Sequence, residues 1–122
     1  MVKKESRRSQ RVADVVRSVL SNLLLIEAHD PELKKVTVTE VEMPPDLRLA
    51  RVYFSVLGGE ADRERAAASL ERASGYLRGE VGRRSGLRYA PELVFLQDRS
   101  LEQGARVEEI LARVLPPKDE EP

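Results

Sequence analysis

Cysteine and tryptophan are both missing from this chain, and only 4% of its residues are aromatic. The absence of cysteine excludes disulfide bridges, thiolate metal sites and a cysteine nucleophile, and it is typical of a reducing compartment. The basic N-terminus leads into an amphipathic segment with no long apolar run, which is unlike a signal peptide or a membrane span. The 122 residues fit one domain. We therefore expect a soluble, cytoplasmic, single-domain protein without membrane contacts.

Groups that perform catalysis are also scarce. His29 is the sole histidine and directly precedes Asp30-Pro31, where a surface turn is the favoured interpretation. The sequence has no phosphate-binding loop, no HExxH motif and no cluster with metal-ligand spacing. We therefore expect a protein that is not an enzyme and has no cofactor, no metal and no small-molecule substrate.

Positive charge is concentrated in two places although the formal net charge is zero. Residues 1–11 and residues 72–88 each carry five basic side chains against one acid, a net charge of +4 in both segments. The residues are Lys3, Lys4, Arg7, Arg8 and Arg11 in the first, and Arg72, Arg78, Arg83, Arg84 and Arg88 in the second. Such patches favour nucleic acid as a partner, whereas an ordinary solvated surface is the alternative.

Hydrophobic periodicity predicts a helix, a hairpin and a second helical region in the first two thirds of the chain. The first helix is expected from an N-cap at Ser9 to about Ala28, and residues 35–43 and 47–57 are expected to form the hairpin. The apolar phase slips between Val38 and Val41, which a β-bulge could absorb. An alanine-rich helix then follows the glycine pair of residues 58–59.

The remainder predicts a third strand and a last helix. Gly86 is expected to end the preceding helix in a left-handed conformation, and residues 87–97 read as a strand that Pro91 restricts to an edge or a bulge. A final helix is expected to begin at Ser100. The tail, residues 116–122, is acidic and rich in proline and is expected to be disordered.

The triplet Ala73-Ser74-Gly75 interrupts an otherwise regular apolar stripe of residues 70–81. Glycine in a helix interior costs about 1 kcal/mol relative to alanine, so we predict two helices joined by a kink. A literal G-x-x-G follows at residues 79–82, but its acid and its apolar valine favour a buried helical turn over a phosphate clamp. Gly75 itself is compatible with either close packing or RNA contact.

Six segments in one order resemble the ribosome-binding factor A family over residues 7–115. The segments are SQRV at residue 9, DPEL at residue 30 with VTVTEVEM after it, DLRLARVYFSVLG, RASGYLR, LRYAPELVFLQD and SLEQGARVEEIL. The resemblance implies an α+β fold, a single type II K-homology-like domain (α-β-β-α-kink-α-β) with a C-terminal helix. It also implies binding to the small (30S) ribosomal subunit and a role in late 16S rRNA maturation, including cold adaptation.

These inferences give an arm, a domain and a tail: residues 1–8 as a basic flexible arm, 9–115 as the K-homology-like domain and 116–122 as the tail. The resemblance makes Ala73, Ser74 and Gly75 the interhelical kink and brings Arg78, Arg83 and Arg88 near RNA. With the charged patches, the candidate RNA-binding residues are Arg7, Arg8, Arg11, Arg72, Ser74, Gly75, Arg78, Arg83, Arg84 and Arg88. The expected partners are the small subunit and 16S rRNA, bound by a protein that is otherwise a monomer. A general RNA chaperone and a protein-interaction module are the alternatives.

Overall fold

A computed structural model describes residues 6–98, which form an α+β fold as the sequence predicts. The helices are α1 (Arg7–Asn22) and α2 (Glu60–Arg84), and the strands are β1 (Val36–Glu42), β2 (Leu49–Val56) and β3 (Glu92–Gln97). The predicted last helix, the acidic tail and the first five residues of the arm lie outside the described residues.

Helix α1 begins at Arg7, two residues before the predicted cap, because Ser6 and not Ser9 is the N-cap. The Ser6 hydroxyl accepts a hydrogen bond from the Ser9 backbone N–H at 3.1 Å, and the Ser9 hydroxyl accepts one from the Ser6 N–H at 2.7 Å. This reciprocal pair satisfies two N–H groups that the first turn would leave without partners. The predicted cap at Ser9 and the assignment of Arg7 and Arg8 to a flexible arm are therefore wrong.

The end of α1 continues into a π-helical turn, Leu23–Glu27, which buries Leu23 and Leu24 and exposes Leu25 and Ile26. The predicted stop before Pro31 is confirmed, since Ala28 is already extended. The Asp30 carboxylate then accepts a hydrogen bond from the Glu32 N–H at 2.9 Å. A short 3₁₀ turn, Leu33–Lys35, leads directly into β1.

The sheet has the order β1-β2-β3, with β1 antiparallel and β3 parallel to β2. The predicted hairpin and bulge are confirmed: the register shifts between Val38 and Glu40, so that Val38 and Val41 are both buried. Strand β3 is at an edge, as Pro91 indicated, but it begins at Glu92 and not at Leu87. Proline has no N–H for the ladder, which explains why pairing starts after it.

Helix α2 is one continuous helix of 25 residues, so the prediction of two helices joined at Ala73-Ser74-Gly75 is wrong. Leu70 and Leu77 lie on either side of the triplet and are 0% and 1% exposed. Burying each leucine is worth roughly 1.5–3 kcal/mol, more than the roughly 1 kcal/mol that the glycine costs. Gly86 follows the helix with φ of +67°, which confirms the predicted left-handed position.

The hydrophobic core lies between the helices and one face of the sheet. On the central strand Ala50, Val52 and Phe54 are buried whereas Arg51 is exposed, which is the alternation of a strand with one face on the core. Phe54 meets Phe95 of β3 edge to face, with ring centroids 6.5 Å apart. Because β2 and β3 are parallel, the loops that precede them lie at the same end of the two strands.

Candidate nucleic-acid interface

The sequence-predicted basic residues are exposed at three places on the fold. Arg7, Arg8 and Arg11 lie on α1, Arg88 lies in the loop before β3, and four further arginines lie along α2. Those of α2 are Arg72, Arg78, Arg83 and Arg84. What distinguishes these residues is the number of carboxylates each already contacts.

Arg84 is the most heavily paired of the ten candidates. Its guanidinium forms two hydrogen bonds to the Glu27 carboxylate at 2.7 and 2.8 Å and one to Glu80 at 3.0 Å. These bonds raise the pKa of Arg84 and lower the pKa of Glu27. Arg84 therefore joins α2 to the π-helical turn, and its charge is largely satisfied within the protein.

Arg83 and Arg72 are also engaged with neighbouring side chains. Arg83 bonds to Glu80, and this bond, with the weaker contribution of Arg84, lowers the pKa of that carboxyl. The Arg72 guanidinium donates to the hydroxyl of buried Ser69 at 2.9 Å and lies 3.9 Å from Asp30. Glu80, the acid within the second basic patch, thus neutralises part of it.

The arginines of α1 and Arg88 have no such partners. Within residues 6–98, Arg7, Arg8, Arg11 and Arg88 form no ion pair. The first turn of α1 contains no acid, so its arginines add to the positive end of the helix dipole. Among the described residues, the one hydrogen-bond acceptor of the Arg78 guanidinium is the backbone carbonyl of Ala90, at 3.3 Å. Among the sequence-predicted candidates, these five residues therefore carry the positive charge that no carboxylate of residues 6–98 neutralises.

At the triplet Ala73-Ser74-Gly75, part of the α2 backbone is not covered by side chains. A Cβ atom added at Gly75 would meet no described atom within 4 Å, and Gly75 and Tyr76 are exposed while Ser74 is half-buried. A packing role for Gly75 within the described chain is thereby excluded. The surface can admit a close approach by another molecule.

The G-x-x-G segment is a turn inside α2, as its acid and its valine indicated. Val81 is fully buried, and a Cβ atom at Gly82 would lie 2.9 Å from the Ala90 Cβ. Glu80 bonds to the arginines that follow it. Gly82 therefore serves the packing of α2 against the loop before β3, and this motif does not form a phosphate clamp.

Sequence reasoning missed two residues that lie beside the predicted ones. Arg48 and Tyr89, together with Arg8 and Arg88, line one groove of about 200 Å³. The guanidinium carbon of Arg48 is 4.9 Å from the Tyr89 ring centroid, and that of Arg88 is 5.9 Å away. In the sequence, an arginine next to a tyrosine at residues 88–89 is a weak indication of a nucleic-acid site. The position of Arg48 beside Tyr89 has no sequence signal, because it depends on the parallel pairing of β2 and β3.

Other kinds of site have little support in the part of the chain that the structure describes. No group of three histidine, aspartate or glutamate side chains there could hold a metal ion, and no helix there is long and apolar enough to cross a membrane. His29 is exposed in the turn after α1. The groups with shifted pKa values include the surface ion pairs described above.

Comparison with known proteins points to one family. The family model described as ribosome-binding factor A matches residues 8–111. Ribosome-binding factor A of Desulforamulus reducens is 40% identical over 109 residues, which cover 89% of this chain and 91% of that protein.

A crystal structure and a homology model fitted into a cryo-EM map are similar to this chain in fold. The crystal structure of ribosome-binding factor A from Thermus thermophilus has a TM-score of 0.65 and 27% identity, covering 75% of this chain and 98% of that one. A Thermus thermophilus homology model fitted into the cryo-EM map of a 30S complex with this factor has a TM-score of 0.62 and 27% identity, covering 75% and 96%. The chain belongs to the ribosome-binding factor A family.

Proposed function

We propose that this protein is a non-enzymatic assembly factor that binds the small ribosomal subunit and assists late maturation of 16S rRNA, including in the cold. The observation that carries the proposal is its membership of a family in which a 30S complex has been visualised. The exposed arginines without acidic partners supply a chemistry for RNA binding. Late maturation and cold adaptation follow from the family resemblance.

A K-homology-like architecture of type II is part of the proposal. The order helix, hairpin, helix, strand and the parallel pairing of β3 with β2 support it. In this chain α2 runs without a break through Ala73-Ser74-Gly75. The open space at Gly75 would let an RNA backbone approach the helix where a K-homology loop would otherwise lie.

Recognition would depend on phosphate contacts and on the shape of the RNA. Arginines contact phosphates and fix the orientation of a bound RNA without reading its sequence. Exposed aromatic rings are few: Tyr76 and Tyr89 are each 56% exposed. A folded rRNA surface with a short unpaired stretch fits this arrangement better than a long single strand, which needs a series of stacking rings.

The location, the oligomeric state and the ligands of the protein are proposed from the same family membership. It acts in the cytoplasm, is a monomer when it is not bound to the subunit, and needs no cofactor or small-molecule substrate. All ten candidate residues, the unpaired and the paired, belong to the proposed RNA-binding surface. The larger share of its affinity comes from Arg7, Arg8, Arg11 and Arg88, which form no ion pair within residues 6–98.

Cosedimentation tests the proposal. The protein is mixed with isolated small subunits, with assembled ribosomes and with bulk unfolded RNA, and the mixtures are separated on sucrose gradients. We expect it to travel with free small subunits, to associate little with assembled ribosomes and to resist competition by bulk RNA. Equal binding to unfolded RNA would identify a general RNA chaperone. Failure to travel with subunits would favour a protein-interaction module.

A further inference from the structure

We propose that the groove lined by Arg8, Arg48, Arg88 and Tyr89 binds a backbone phosphate of an unpaired RNA segment, with the neighbouring base stacked on Tyr89. The inference rests on the proposed function and assigns one part of the RNA surface a specific ligand. Two of its residues, Arg48 and Tyr89, have no place in the sequence-predicted site.

The walls of the groove are held together by the sheet. Arg48 immediately precedes β2 and residues 86–89 lie just before β3. Because the two strands are parallel, both loops lie at the same end of the sheet. The Glu92 N–H donates to the Arg48 carbonyl at 2.9 Å and fixes this approach. Arg8, on the first turn of α1, completes the groove. The site is therefore built by long-range pairing, before any ligand binds.

The loop before β2 has an uncommon backbone conformation. Leu47 has φ of +60°, the left-handed region that a bulky residue rarely adopts, and its side chain is buried. The Leu47 N–H donates to the Pro44 carbonyl at 3.0 Å. Burial of the leucine and this turn hold the strained residue in place, and Arg48 is consequently directed toward Tyr89. Such strain is frequent where a loop positions a binding residue.

The charge of the groove favours an anion. The groove is lined by three arginines and by one carboxylate, that of Asp46. This carboxylate already accepts a hydrogen bond from the backbone N–H of Arg48 at 3.1 Å. None of the three arginines forms an ion pair within the described chain. A guanidinium presents a planar fork of N–H donors that matches phosphate oxygens. A phosphate would thus pair with three guanidinium charges that no carboxylate of residues 6–98 neutralises.

Tyr89 gives the groove an apolar surface beside the charge. Its ring is 56% exposed, and the two guanidinium carbons lie 4.9 and 5.9 Å from its centroid. The volume of about 200 Å³ is below the roughly 300–1,000 Å³ of pockets that enclose a small molecule. A phosphate and a stacked base of a longer chain fit better, since the remainder of the chain continues over the surface.

The test uses the full chain, a labelled oligouridylate that forms no base pairs, and fluorescence anisotropy at several salt concentrations. The groove variants are Arg48→Gln and Tyr89→Leu, and Tyr89→Phe is the conservative variant that keeps the ring. Arg17→Gln is the matched control because Arg17 is exposed on α1, away from the groove, with the same change in charge. Thermal melting checks that each variant is folded, and subunit cosedimentation is measured in parallel.

We expect Tyr89→Leu to weaken oligouridylate binding roughly tenfold or more, and Tyr89→Phe to restore it. Arg48→Gln should weaken binding and lower the salt slope by about 0.7, whereas Arg17→Gln should change neither. If Arg48→Gln and Tyr89→Leu bind as the unaltered protein does while that protein still cosediments with subunits, the groove assignment is wrong and the proposed function stands. If the unaltered protein does not cosediment, the proposed function fails and this site with it.

Discussion

Gly75 and Gly82 have opposite surroundings although both lie within the same continuous helix, α2. At Gly82 an added Cβ atom would lie 2.9 Å from the Ala90 Cβ and 3.2 Å from the Ala90 Cα. At Gly75 it would meet no described atom within 4 Å. The glycine that the fold requires is therefore Gly82, and Gly75 lowers helix stability without any compensation from packing in the described chain.

The difference predicts opposite effects of the same substitution. Gly75→Ala should raise the free energy of unfolding by about 1 kcal/mol, because it removes the entropic cost of a helical glycine. Gly82→Ala should lower it by about 1 kcal/mol or more, because overpacking against Ala90 exceeds the gain in helix propensity. Urea denaturation of the two variants measures both. Equal effects would contradict the packing role of Gly82.

Single residues also show what sequence reasoning could and could not find. The position of each arginine is visible in the sequence, but its partners are not. Arg84 counts as one more positive charge in the second patch, yet its closest carboxylate belongs to Glu27, 57 residues away. For Arg48 the sequence indicates only a place at the end of a strand. Ion pairs and grooves between distant segments depend on the tertiary fold, which local spacing does not specify.

At the level of elements, burial patterns and the positions of Pro31, Gly86 and Pro91 predicted the structure correctly, whereas the helix break and the N-cap were predicted wrongly. The hairpin and the bulge after Val38 followed from which residues must face the core, and the edge position of β3 followed from the missing N–H of Pro91. The break at residues 73–75 was predicted from the poor helix propensity of Ser74 and Gly75, and the buried leucines on both sides outweighed it. The N-cap was misplaced because Ser6 and Ser9 both fit the rule, and the first of them forms the cap.

The contact between α2 and the π-helical turn should make stability depend on acidity. The hydrogen bond from Arg84 lowers the pKa of Glu27 below its ordinary value of 4.5, and the bonds from Arg83 and Arg84 lower that of Glu80. A carboxyl whose pKa is lowered on folding stabilises the native state above its unfolded pKa. The stabilisation is lost as the pH falls through the folded pKa.

We therefore predict that Arg84→Gln reduces the loss of thermal stability on acidification. Melting temperatures measured between about pH 6 and pH 3 should fall less steeply in this variant, since the pKa of Glu27 returns toward 4.5. At neutral pH the variant should melt at a lower temperature than the unaltered protein. Arg17→Gln, which removes an arginine without affecting this contact, is the control and should retain the steeper dependence. A profile of Arg84→Gln parallel to that of the control would refute the coupling.

For the molecule as a whole, the formal net charge is zero, but the arginines differ in whether they contact carboxylates of the protein. Those of α2 near its end bind the protein's own carboxylates and join elements, while those of α1 and of the loop before β3 are open to solvent. The sequence located both patches and, through the resemblance, the family. It could not divide them into internal and external roles, because that division depends on which carboxylates the fold brings near.

This division predicts different salt dependences for two variants of equal net charge. Arg7→Gln/Arg11→Gln removes two arginines that have no ion pair among residues 6–98, and Arg65→Gln/Arg83→Gln removes two that are paired, with Asp62 and Glu80 respectively. Each phosphate that the protein no longer binds should lower the slope of log affinity against log salt by about 0.7 to 0.9. Binding to small subunits, measured by cosedimentation over a range of salt, should show this decrease in the first variant and little in the second. Equal decreases would show that binding depends on net charge alone, and that ion pairs within the protein do not affect its contacts with RNA.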